Sequence, residues 1–231
     1  MGRELEDYVY CRNSVLRRLD FMCKQVTSTG NVTITVENNA KGIFFDVPIV
    51  SADNKAVSSG DWGNADTDII ADFETMRSKA QSLGTSFDKV LIDESLWFKL
   101  IKNKSMRDFL KGYFNPGSNA RFATNFENVN AALTAERFPT FEIISDMAYV
   151  ENDGKKEKLD TAGWNPDSAV FIPSGDLGVI HNALADEQIS PVDGVQYLLD
   201  DGVYLSRWRT RKPLAVFTDG VYTAFPGLDK A

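Results

Sequence analysis

The stretch VLRRLDFMCKQVTSTGNVTITVEN, residues 15–38, decides the fold. In its first half Val15, Leu16, Leu19, Met22, Cys23 and Val26 recur at spacings of three and four, the pattern of one apolar helix face. Leu5, Tyr8, Val9 and Arg12 extend that face backward, so the spacing predicts one long helix over residues 3–27. The cluster TSTG ends it at Gly30, because glycine accepts the left-handed backbone that closes a helix. NVTITVENNAKGIFFDVPIV then alternates and is rich in β-branched and aromatic residues, predicting two strands joined by a turn at residues 38–42.

Beyond this stretch the character changes. Residues 51–65, SADNKAVSSGDWGNA, are small, polar and glycine-bearing, as a connection between lobes would be. Asp66 or Thr67 is then expected to cap a helix that carries Ile69, Ile70, Phe73, Met76, Ala80 and Leu83 and ends at Gly84. FDKVLID (87–93) reads as a buried strand, and Asp93 as the cap of a helix through Leu96, Trp97 and Leu100. Ser105 is expected to cap a further helix ending at Phe114, and FENVNAALTAE to form another. FEIISDMAYVENDGKKEKLD reads as strand, charged turn and strand with Asp153-Gly154 at the tip, and residues 168–181 add strand broken at Ser174-Gly175. The tail YLSRWRTRKPLAVFTDGVYTAFPGL returns to strand alternation. The order helix, strands, helical middle, strands implies an α+β protein with a middle lobe inserted between terminal segments that build one lobe together.

Composition sets limits on function. With 231 residues the chain can bury a sizeable core. Its 33 acidic against 25 basic residues give a net charge of -8, which disfavours a dedicated nucleic-acid binder with a basic face. No apolar run reaches the length of a membrane span, and MGRELEDYVYCRNSV lacks the pattern of a signal peptide, so no membrane partner is expected. Cys11 and Cys23 lie twelve positions apart on the predicted helix, roughly 18 Å at its 1.5 Å rise, too far for a disulfide. The sequon Asn31-Val32-Thr33 reads as strand.

FIPSGDLGVIHNAL (171–184) gathers Ser174, Asp176 and the sole histidine, His181. A nucleophilic triad needs rigid elements that converge beside an oxyanion hole, and no G-x-S-x-G elbow surrounds Ser174. Ser174, Gly175, His181 and Asn182 are therefore read as structural residues where the chain crosses between lobes, with no catalytic role. One histidine and two helical cysteines supply no metal site, and Asp61, Asp66, Asp68 and Asp72 lack calcium-loop spacing. No phosphate-cradling glycine motif occurs, so no cofactor is expected. The row Arg207, Arg209, Arg211 and Lys212 is the strongest local positive charge; it reads either as a solvated strand face or as a contact for acidic groups of a neighbouring subunit or nucleic acid.

Several segments in order resemble the tailed-bacteriophage major capsid proteins of the lambda capsid-protein-E type. NADTDIIADFETMRSKAQSLGTSFDKVLIDESLWFKLIKNKSMRDFL is similar to the family's middle region, and FIPSGDLGVIHNAL, SPVDGVQYL and RWRTRKPLAVFTDGVYTAFPGL to its closing segments. VLRRLDFMCKQVTSTGNVTITVEN looks like its spine helix running into the first strands. The resemblance implies the HK97 capsid fold. Residues 1–50 and 185–231 would form a discontinuous peripheral domain, and residues 51–184 an inserted axial domain. It further implies a non-enzymatic shell protein that assembles with copies of itself into hexamers and pentamers of an icosahedral head. Scaffold, portal and decoration proteins would be partners, packaged double-stranded DNA would be held non-specifically, and assembly in the bacterial cytoplasm would precede residence in the virion. Family members carry an N-terminal arm and an extended loop ahead of the spine helix, and this sequence, opening at Met1-Gly2, is expected to lack both. The alternatives are an encapsulin-like nanocompartment shell of the same fold, or a small hydrolase or ligand-binding protein with its site near His181.

Overall fold

The computed structural model describes residues 2–34, 45–48, 50, 60–114, 124–145, 148–152, 155–159 and 162–228. It is a mixed α+β structure in two compact units. A terminal unit joins Met1–Lys24 to Gly178–Gly227, and a middle unit comprises Gln25–Leu177 with Leu228–Ala231. Residues 25–50, grouped with the ends in the sequence reading, thus fall within the middle unit.

Helix α1 (Gly2–Thr29) stops where Gly30 takes φ +71° and its N–H donates to the Val26 carbonyl at 2.8 Å. Strand β1 (Asn31–Ile34) follows at once and pairs antiparallel with β2 (Phe45–Pro48), Val32 opposite Val47. The turn expected at 38–42 lies outside the described residues.

In the middle unit, α2 (Ile69–Ser82) is capped by Asp68, whose carboxylate accepts from the Ala71 N–H at 3.2 Å. This corrects the expected cap at Asp66 or Thr67; the Thr67 hydroxyl donates to the Asp61 carbonyl at 2.6 Å instead. Gly84 at φ +69° closes the helix. Strand β3 (Phe87–Asp93) leads into α3 (Glu94–Leu100), where Asp93 caps as predicted, accepting from Ser95 N–H at 2.7 Å. Helix α4 (Lys104–Phe114) is capped by Asn103, not Ser105. The Asn103 amide oxygen accepts from Met106 N–H, and its Nδ2 donates to the carbonyls of Asn64 and Thr67, so this fully buried side chain ties a loop to a helix start. The Ser105 hydroxyl accepts from Ile69 N–H at 3.0 Å, serving the first turn of α2.

Helix α5 (Phe126–Ala135), capped by Asn125, precedes β4 (Thr140–Ile144), the hairpin β5 (Ala148–Asn152) and β6 (Lys155–Leu159), and β7 (Val170–Pro173). The main sheet has the order β4-β3-β7, with β3 parallel to β4 and antiparallel to β7. Alternation along β3 buries Val90 and Ile92 completely. Phe73 of α2 is fully buried against Phe138, Phe141 and Phe171, ring edges to faces, contributing about 1.5–3 kcal/mol from burial alone. Trp62 stacks on Phe73 at 5.9 Å and is only 9% exposed. The segment read as an inter-lobe connection therefore supplies a core residue, because a tryptophan in a small polar loop can bury itself where its neighbours cannot.

The terminal unit adds β8 (Gly178–Ala183), α6 (Asp186–Ile189), β9 (Gln196–Asp200), β10 (Val203–Arg211), β11 (Leu214–Val221) and β12 (Thr223–Leu228). Strands β11-β10-β9 form one antiparallel sheet, and β12 pairs with β8.

A candidate contact surface on the terminal unit

The register of the three-stranded sheet sorts its residues onto two faces. On one lie Leu205, Arg207, Arg209 and Arg211, paired across β11 with Gly220, Thr218, Val216 and Leu214. Helix α1 covers the Leu205 half of this face. Gly220 lacks a side chain there, and a Cβ would stand 3.5 Å from both Cys11 and Val15. The Cys11 thiol points to the Thr218 carbonyl at 3.5 Å. Arg12 binds both carboxylates of the β9–β10 turn: its Nε lies 2.9 Å from Asp200 Oδ2, and its Nη2 pairs with Asp201. Asp201 at φ +48° and Gly202 at φ +79° give the turn its left-handed backbone.

The basic row thus has two parts. Arg207 is half-buried with its guanidinium 5.8 Å from the Tyr8 ring centre. Arg209, Arg211 and Lys212 are exposed toward the end of the β10–β11 hairpin, where the Lys212-Pro213 bond is cis. Among the acids of residues 186–201, Asp200 and Asp201 bind Arg12 while staying at least half exposed, and Asp186 and Asp193 are also exposed. Period-two alternation along β10 sets Arg207, Arg209 and Arg211 on one face and Trp208 on the other. It does not point to Arg12, because nothing in local spacing reveals a partner nearly the whole chain away.

On the opposite face Trp208 stacks on Phe217 at 5.5 Å, and Tyr197 on Tyr204 at 4.9 Å. Phe217 is 44% exposed.

Ser174 and His181, also selected from the sequence, have structural neighbours. The Ser174 hydroxyl donates to Asp88 Oδ2 at 2.6 Å, its N–H donates to the Ser86 carbonyl, and Gly175 takes φ +88° in the turn after β7. The break between the compact units falls at Leu177/Gly178, between Gly175 and His181. His181 and Asn182 are exposed on β8. The His181 ring lies over Gly227, whose missing side chain makes room: a Cβ there would be 2.7 Å from Nε2.

A cavity of about 880 Å³ in the middle unit is bordered by Asp61, Asp72, Lys79 and Asp167. Its buried carboxylate, Asp72, accepts from Trp62 Nε1 at 2.6 Å. No histidine or cysteine is among the described residues lining it, and no group of three metal-ligating side chains occurs among the described residues. Neither cysteine is in a disulfide; burial first, then Asp219 and Asp7, pushes the Cys11 thiol up, and burial then Asp20 does so for Cys23. Among the described residues no helix is long and apolar enough to cross a membrane.

The chain belongs to the phage major capsid protein E family, which matches residues 2–220. No curated protein matches it. Among solved structures, a protein assigned as a prophage capsid protein of E. coli CFT073 has a TM-score of 0.58 at 15% identity. That match covers 95% of this chain but 61% of the solved one, and it shows a shared fold.

Proposed function

We propose that this chain is a non-enzymatic shell subunit of the HK97 fold. Copies associate into hexamers and pentamers of an icosahedral head around double-stranded DNA. In this reading the terminal unit is the peripheral domain and the middle unit the axial domain. Scaffold, portal and decoration proteins are its other partners, and assembly precedes packaging in the host cytoplasm. The observation that carries the proposal, beside family membership, is the discontinuous terminal unit, in which α1 from one chain end packs on strands from the other. Weak individual contacts suffice when many repeat in a closed assembly. The exposed Arg209, Arg211 and Lys212 serve acidic groups of a neighbouring subunit or DNA phosphates. Electron microscopy of the protein co-expressed with the scaffold, portal and decoration genes that neighbour its own tests this: closed shells that contain the chain are expected, and shells that form without it would contradict the reading.

A further inference from the structure

We draw no further inference here: the strongest candidate, the exposed basic end of the β10–β11 hairpin at Arg209, Arg211 and Lys212, belongs to the contact surface already described, and nothing in the structure shows what covers it.

Discussion

The guanidinium of Arg12, in the helix that opens the chain, binds Asp200 at 2.9 Å in the turn between two of the closing strands. With Asp201 accepting from the same side chain, the pair joins the two ends of the sequence into one unit. Both carboxylates are at least half exposed, so solvent screens the attraction. Arg12→Met is expected to lower stability by about 1 kcal/mol in low salt and by less in 1 M salt, read from urea unfolding at both ionic strengths. An effect independent of salt would mean that packing, not charge, is what Arg12 supplies.

Trp62→Phe keeps the stacked ring on Phe73 but removes the hydrogen bond to the buried Asp72 carboxylate. Loss of a bond to a charged acceptor predicts a decrease of about 1.5–3 kcal/mol, measured by the shift in urea midpoint at constant slope. A shift near zero would show that the segment around Trp62 is not part of the cooperative core.

His181 serves strand packing in this account. His181→Ala is expected to leave stability within about 0.5 kcal/mol of wild type, as for an exposed strand residue. Gly227→Ala should cost about 1 kcal/mol by crowding the ring, and most of that cost should vanish when His181 is also alanine. Additive effects in this double-mutant cycle would place the ring elsewhere.

Both thiols are held in the protonated form by burial, with carboxylates nearby reinforcing it. The folded-state values lie above the unfolded ones, so the associated stability is full below the ordinary thiol range and is lost as pH rises through the folded values. Labelling by a disulfide reagent at pH 8 should be slower in the native protein than in urea, and equal rates would refute the raised values.

The elements written in local pattern were legible from the sequence. The later part of the α1 stripe, the stop at Gly30, the Asp93 cap and the alternation of β10 each depend on neighbours a few residues away, whereas Leu5 and Val9, expected on the same face, are exposed. What was not legible depends on partners distant in the chain. Ser105 stands where a cap for α4 is expected, yet its hydroxyl serves α2, because Asn103 already occupies that role and the two helix starts meet. Trp62 sits in a stretch whose composition is that of a linker, and only the aromatic cluster around Phe73 makes it core. The same holds for the surface. Period-two alternation separates Arg209 from Trp208, but only the register with β11 brings Phe217 against the tryptophan and makes a stripe.

The central claim, that the terminal unit is the peripheral part and the middle unit the axial part of a shell subunit, is tested most directly by a cryo-electron microscopy reconstruction of assembled particles. The account predicts closed icosahedral shells in which Gln25–Leu177 surrounds the five-fold and six-fold positions while α1 and the closing strands lie toward the capsomer edge. A shell with the middle unit at the edge and the terminal unit at the axes, or particles without icosahedral order, would contradict it.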